Sequence, residues 1–466
     1  LLLLPINKQK EKQQMQLILL SGGSGKRLWP LNNDGRSKQF LPLLASPTGG
    51  TESMLQRLVR QIRENLQTKD ITVATNTAQR DNIINQLGNA INIVTETERR
   101  GTFPAIALAS SFLAREKGCG RDEVVVVMPC DVYTENSYFA AIERMAKAVE
   151  ANKADLILMG VKPRNASDKF GYILPKEDTA AGSEVQEVEL FFEKPDTETA
   201  RRLLRMGACW NAGVFAFRLG YMTDIVARYA QGESYGDICK AFGAFPKISF
   251  DYEVVEREKS LVMVPFYGEW KDLGTWSTLC DVLPSTHIGN VKMGEHNENT
   301  HVVNELGIPV FCDGLRDIII AASPDGILVC EKTASKNIKN AVRELSTRPM
   351  YEERRWGTYR VLDCVTYPDG LQSLTKSITL KAGKNISYQI HHHRAEVWTI
   401  VDGEGIFVLD GVQKRVSRGD VLVIKKEHFH AIKALSDLTF IEVQTGNPLI
   451  EEDIERFDWD WNTNIE

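Results

Sequence analysis

Between residues 16 and 128 the chain alternates short apolar runs with stretches of helical periodicity, and this alternation restricts its fold more than any other feature. Residues 16–20 read Gln-Leu-Ile-Leu-Leu and end in Ser21-Gly22-Gly23, the pattern of a buried strand entering a glycine loop. Over 52–66, Met54, Leu55, Leu58, Val59 and Ile62 fall on one helical face. The pattern predicts a strand over 71–75, a helix over 78–87, a strand over 91–94 and a helix over 104–115 with Pro104 in its first turn. Val124 to Met128 is an all-apolar strand followed by Pro129-Cys130-Asp131. Strands too apolar to leave one face in water, separated by helices, predict an α/β fold with a mostly parallel sheet covered on both faces.

The texture changes after residue 286. Short β-rich pieces such as 318–322 and 327–330 alternate with Gly, Asn and Asp. They predict a small β-rich connector, a partial β-helix, over 287–345, followed by a linker at 346–349. Across 350–466 the strands 397–401, 406–409 and 421–424 are separated by glycine turns, as in an all-β barrel or jelly roll. Residues 1–14 read as a disordered extension and 15–286 as the α/β domain. A length of 466 residues suits two or three such domains.

Composition removes several function classes. A net charge of -6 leaves no electrostatic footprint for nucleic acid. No run approaches the ~20 apolar residues of a membrane span. Leu1-Leu2-Leu3-Leu4-Pro5 is too short for a signal-peptide core. The eight cysteines show no C-x-x-C spacing, which fits reduced thiols in the cytoplasm. Histidines are absent before His287, whereas His391, His392, His393, His428 and His430 crowd together. The first part of the chain therefore lacks histidine bases, and the last part has a ligand cluster.

The loop Ser21-Gly22-Gly23-Ser24-Gly25-Lys26-Arg27-Leu28-Trp29-Pro30 is neither a Walker A sequence nor a complete G-x-G-x-x-G. Its glycines let backbone N–H groups approach phosphates, while Lys26 and Arg27 add charge. On these residues alone, a strand–helix turn with solvated basic side chains is the more ordinary reading, and the downstream residues must decide. Asp131 follows a strand at its carboxyl end, where α/β sheets place ligands.

The loop resembles the signature of nucleotide-sugar pyrophosphorylases, and Leu28-Trp29-Pro30-Leu31 resembles the mannose-1-phosphate guanylyltransferase branch. Further matches follow in order. They are Ser37-Lys38-Gln39-Phe40-Leu41, Glu98 to Ala107, Phe170-Gly171-Tyr172-Ile173, Glu193-Lys194-Pro195, Trp210 to Phe215, Phe250-Asp251-Tyr252-Glu253 and Trp270 to Trp276. The chain departs from the family at Ser37, Gly101, Phe103, Cys130 and Val132. The resemblance implies a Rossmann-like nucleotidyltransferase domain that makes GDP-mannose from GTP and mannose-1-phosphate. It implies catalysis by Arg27, Lys38, Asp131 and Asp272, with Mg²⁺ on the two aspartates. Gly22, Gly23, Gly25, Lys26, Arg100 and Thr102 would bind the nucleotide. Gly171, Glu193, Lys194, Asn211 and Gly213 would bind the sugar phosphate. A phosphate monoester is already ionised, so the reaction needs positioning and charge neutralisation rather than a histidine.

Near the C-terminus, Gln389-x-His391-x₄-Glu396 resembles the cupin metal motif with Gln in place of the first His, and His430 is the fourth ligand by position. One amide oxygen, two imidazoles and a carboxylate suit Zn²⁺ or a similar divalent metal. Residues 351–458 resemble the C-terminal domain of type II mannose-6-phosphate isomerases through Trp356-Gly357, Arg394-Ala395-Glu396 and Glu452 to Phe457. The resemblance implies interconversion of mannose-6-phosphate and fructose-6-phosphate, with Arg394 holding the sugar phosphate or the intermediate's charge. Val397 stands where that family has His, which leaves open a guanylyltransferase whose cupin is structural or sugar-sensing. The expected product serves polysaccharide biosynthesis, and a homodimer is expected. Intact Arg27, Lys38, Asp131 and Asp272 argue against a non-enzymatic sensor.

Overall fold

A computed structural model describes residues 15–462 apart from 24–25, 34, 69, 178–182, 346–347 and 451. The expected extension over 1–14 and the first half of the expected linker lie outside the described residues. The chain divides into two compact units. One comprises Leu1–Ser24 and Ser37–Pro284, the other Gly25–Arg36 and Ser285–Glu466.

The first unit is built on a nine-stranded sheet. From one edge its strands are Asn92–Glu96, Ile71–Asn76, Gln16–Leu20, Val124–Pro129, Cys209–Arg218, Leu156–Val161, Leu261–Phe266, Gln186–Phe192 and Tyr172–Pro175. Alternate residues of one strand enter opposite cores. Leu17, Leu19, Val124, Val126 and Met128 pack on one side, and Ile18, Val125 and Val127 on the other. That two-sided burial explains the unbroken apolar runs. Helices Met54–Asn65 and Ser137–Glu150 cover the first face, and Thr102–Arg115 the second. Helix Met54–Asn65 starts at a capping box in which Ser53 and Gln56 each satisfy the other's backbone N–H, worth about 1 kcal/mol.

The sheet is mostly parallel, as expected, but two of its nine strands, Cys209–Arg218 and Gln186–Phe192, run against the others. The four strands at the Asn92–Glu96 edge are parallel. Cys209–Arg218 then enters antiparallel to both Val124–Pro129 and Leu156–Val161, and Gln186–Phe192 is antiparallel to both its neighbours. The parallel half is the part made from consecutive strand–helix units. The inserted strand comes from a segment whose pairing is non-local, and local periodicity carries no record of it.

In the second unit, His287–Gly289, His301–Asn304 and Ile318–Ser323 pair in parallel, as do Val291–Met293 and Val310–Cys312. These are successive rungs of a short coil, closed by the antiparallel strand Gly326–Glu331. The remaining strands form a six-stranded and a five-stranded antiparallel sheet. Their core includes Trp398, Phe407, Leu422, Ile432 and Phe440. This is the jelly-roll architecture expected of the C-terminal region.

Candidate functional site

The loop that follows Gln16–Leu20 is fixed by a buried polar network. The Ser37 hydroxyl donates to Gly23 O (2.9 Å) and accepts from Gln79 Nε2 (2.5 Å), which also donates to Gly23 O (3.2 Å). Gln39 Nε2 donates to Ser21 O and Oγ. Gly22 borders Glu96, so that a Cβ at Gly22 would lie 3.6 Å from Glu96 Oε1. Gly25 lies outside the described residues. Lys26 and Arg27 begin the short 3₁₀ turn Lys26–Leu28 and belong to the second unit.

Asp131 and Asp272 are brought together by a two-stranded ladder. Trp270–Asp272 pairs antiparallel with Val132–Thr134, with Asp272 opposite Val132, and Leu273 N donates to Asp131 O (3.4 Å). Both carboxylates face Lys38. Its Nζ is 2.6 Å from Asp131 Oδ2 and 3.6 Å from Asp272 Oδ1. Two carboxylate oxygens aimed at one cationic nitrogen form a donor set that also fits a hard divalent ion. The departures from the family lie in the packing. Val132 and Cys130 are buried, with burial pushing the Cys130 thiol up to about 12. Phe103 is buried edge-on to Tyr229 and Phe245. Gly101 adopts φ +100, and a Cβ there would stand 2.5 Å from Ile248 O, so glycine is required.

Arg100 and Thr102 are held against one segment rather than on the glycine loop. Arg100 donates to Phe245 O (2.8 Å) and Glu98, and Thr102 Oγ1 accepts from Phe250 N (2.8 Å). Sequence reasoning passed over Glu96, at the carboxyl end of its strand. It is 5% exposed, and burial pushes its carboxyl up to about 7 from an ordinary 4.5. The folded protein therefore holds a proton between pH 4.5 and 7 that the unfolded chain releases, and stability falls as pH rises through that window. Glu96→Gln should remove this loss. Relative to wild type it should gain on the order of 3 kcal/mol between pH 4.5 and pH 8. Urea unfolding of both proteins across that range measures it, and a pH-independent difference would return Glu96 to ordinary ionisation.

The sugar-side residues converge. Gly171 O accepts from Asn211 N (2.8 Å), and a Cβ at Gly171 would meet Glu193 Oε2 at 2.5 Å. Asn211 Oδ1 accepts from Gly213 N (3.0 Å) where Gly213, at φ +69, lies in a register shift of its strand. Lys194, itself in left-handed backbone at φ +46, reaches back to Glu193 and lies over Tyr252. Asp251 joins them, accepting from Asn211 Nδ2 (2.7 Å). Burial first, and the Glu193 charge second, push its carboxyl up to about 6. Asp251 stood inside a recognised motif, yet only its bond to Asn211, 40 positions away, singles it out from its neighbours.

In the jelly roll, donor atoms of His391, Glu396 and His430 lie within 4.8 Å of one another, all buried. His391 Nδ1 donates to Asp453 O (2.5 Å) and His430 Nδ1 to His428 O (3.0 Å), which fixes both rings with Nε2 on the side of Glu396. His430 Nε2 is buried without a hydrogen-bond partner. Burial alone would raise the Glu396 carboxyl, but His430, His391 and Arg394 hold it below its ordinary range. The set fits a divalent metal. Gln389 reaches the cluster nitrogen foremost, with Nε2 3.2 Å from His391 Nε2, so ligation through oxygen needs the amide turned over. Arg394 donates to Glu396 Oε1 (2.8 Å) and Ile450 O (3.0 Å). Trp398 and Gln444 also donate to Glu396 and were not anticipated. Val397 points the other way. On strand Arg394–Asp402 inward and outward residues alternate, and Val397 is 38% exposed beside Val423 of the next strand. The departure from the family at this position thus lies on the outer face, opposite the ligands.

A nucleotidyl transferase family model matches residues 16–287, and a mannose-6-phosphate isomerase C-terminal model matches 343–459. The chain is 31% identical over 478 residues to mannose-1-phosphate guanylyltransferase of Escherichia coli (strain K12), covering 94% of this chain and 97% of that one. It is 30% identical over 477 residues to alginate biosynthesis protein AlgA of Pseudomonas aeruginosa, covering 95% and 96%. A crystal structure described as mannose-1-phosphate geranyltransferase from Thermus thermophilus aligns with a TM-score of 0.60 at 25% identity, over 72% of this chain and 100% of that one. Matched over more than half its length by one family model and over nearly all of it by these relatives, the chain belongs to the nucleotidyl transferase family and carries a C-terminal domain of the mannose-6-phosphate isomerase type.

Proposed function

We propose that the chain transfers GMP from GTP to mannose-1-phosphate, giving GDP-mannose and pyrophosphate, in the cytoplasm. The observation that carries this reading is the Lys38 ammonium held by Asp131 and Asp272 at the carboxyl end of the strand Val124–Pro129. A phosphate oxygen of the sugar attacks the α-phosphorus, the bond to the bridging oxygen breaks, and pyrophosphate leaves. No base is required, so the work of the protein is alignment and charge neutralisation. Arg27, Lys26 and Lys38 supply positive charge, and Gly22 and Gly23 admit the phosphates close to the backbone. Mg²⁺ held by Asp131 and Asp272 would supply divalent charge against the phosphate oxygens. Glu193, Asn211 and Asp251 accept and donate to sugar hydroxyls, and Lys194 meets the sugar phosphate. Glu96 places a carboxyl beside the loop that, once ionised, is complementary to the N1–H and N2–H donors of guanine. Eight cysteines outside any disulfide fit a reducing compartment.

A second activity is proposed for the C-terminal domain: isomerisation of mannose-6-phosphate and fructose-6-phosphate. It is favoured by the buried His391, Glu396 and His430 cluster and by the outward direction of Val397. A divalent metal in this cluster would polarise the substrate's oxygens. Arg394 fixes Glu396 and brings a permanent positive charge to the same place.

Offering purified protein a panel of nucleoside triphosphates and sugar-1-phosphates with Mg²⁺ tests the first reading. GTP with mannose-1-phosphate should give the highest kcat/KM. A preference for UTP, dTTP or glucose-1-phosphate would overturn the base or sugar assignment.

A further inference from the structure

Residues 25–36, most of the loop that bears Lys26 and Arg27, group with the second unit rather than with the sheet they interrupt. Specific contacts hold them there. Arg36 is 8% exposed, and its Nη1 and Nη2 donate to Glu305 Oε2 (2.8 Å) and Oε1 (3.0 Å), a two-pronged pair. Its Nε lies 3.7 Å from Glu353, and the guanidinium stacks over Tyr351 at 5.3 Å. Asn33 Nδ2 donates to Asp325 Oδ2 (3.0 Å) and to Tyr351 O (3.1 Å), while its Oδ1 accepts from Gly35 N and Arg36 N. The Ser323 hydroxyl donates to Pro30 O (2.6 Å). Trp29 packs so close to Gly326 that a Cβ there would stand 2.5 Å from the indole. Beyond the 3₁₀ turn Lys26–Leu28 the described residues of this stretch form no regular element, so their shape is set by these partners. Arg36 then passes directly into Ser37, which bonds Gly23 O, and Lys38, which meets Asp131.

We propose that the Arg36–Glu305 pair is a positioning device for nucleotidyl transfer: it fixes the loop that carries the phosphate-neutralising charges of Lys26 and Arg27. The proposal rests on the transferase reading above. Arg36 acts through the loop and touches no substrate. A buried guanidinium that loses its two-pronged carboxylate keeps only Glu353, at 3.7 Å, to balance its charge, and the irregular loop yields before the sheets do. A displacement of ~1 Å in a group that stabilises the transition state costs about 10²-fold in rate.

The test uses the full-length chain, with the near-isosteric Glu305→Gln, with Arg36→Lys, and with Arg36→Ala. In Glu305→Gln, kcat for GDP-mannose synthesis should fall ~10–100-fold. KM for mannose-1-phosphate should hold, because the proposed sugar residues all lie in the first unit. Arg36→Lys keeps the charge but not the fork, and should recover part of the loss left by Arg36→Ala. Amide hydrogen exchange over 26–36 should quicken at least ~10-fold in Glu305→Gln, with strand Val124–Pro129 unchanged. Faster exchange throughout both units, with kcat and KM lost together, would mark a merely structural pair. Unchanged exchange over 26–36, or a loosened loop with full kcat, would overturn the proposal. A wild type that makes no GDP-mannose sinks the transferase reading instead, and the exchange measurement alone then decides whether the pair holds the loop.

Discussion

Asp131→Asn and Asp272→Asn are each expected to lower the rate of GDP-mannose formation at least ~100-fold in a protein that stays folded. The two side chains converge because the strand Trp270–Asp272 pairs with Val132–Thr134, and that ladder rests on backbone hydrogen bonds that an amide leaves intact. What changes is charge. One of the two carboxylates facing Lys38 becomes neutral, so the ammonium at 2.6 Å from Asp131 loses its closest anion in the first variant and its second in the other. A site that neutralises phosphate charge by balanced fixed charges is disturbed in both signs at once. A divalent ion on the pair would be held less tightly, and Lys38 is less firmly placed. Raising Mg²⁺ should recover part of the loss in either variant, which a folding defect would not allow. Steady-state rates on protein of unchanged circular dichroism provide the measurement. Wild-type turnover in either soluble variant removes that residue from the site.

His391→Ala should abolish isomerisation and leave nucleotidyl transfer within about twofold of wild type. The imidazole is locked by its bond to Asp453 O, and its loss takes one of three buried donors from the cluster. Metal content of the full-length protein should fall below about a tenth of that of the wild type. The Arg36–Glu305 pair contains no residue of this cluster, so the transferase loop keeps its support. The two proposed activities should thus separate at the His391, Glu396 and His430 cluster but not by removing the second unit, since that would take Glu305 and Tyr351 with it. Metal-loaded wild type without isomerisation in either direction would leave a transferase with a structural or sugar-sensing jelly roll. Loss of nucleotidyl transfer in a folded His391→Ala protein would end the claim of separability.

The parts of this architecture that could be read from sequence were those written locally. The run 16–128 announced its strands and helices because burial on both faces forces unbroken apolar runs, and one-sided burial forces a helical stripe. The antiparallel entry of Cys209–Arg218 was hidden, since its partners lie far off in sequence. Asp131 and Asp272 were legible as members of ordered motifs, although nothing near either one states that they meet. Glu96 was missed because a glutamate at a strand end has the look of a solvated residue until its burial is known. Val397 was readable in principle. With Glu396 and Trp398 facing the core, the two-residue period of a strand already turns the residue between them outward.

The anchoring of residues 25–36 also has a consequence for how the chain is made. Arg36 and Glu305 are separated by 269 positions, so the loop leaves the ribosome long before its carboxylate partner exists. At about 5–20 residues per second, that interval is roughly 15–50 s. For that time Lys26, Arg27 and Trp29 await their support, and a nascent first domain has its sheet before it has a finished phosphate loop. The anchoring of this loop therefore arrives late in synthesis, with the connector, rather than with the loop itself.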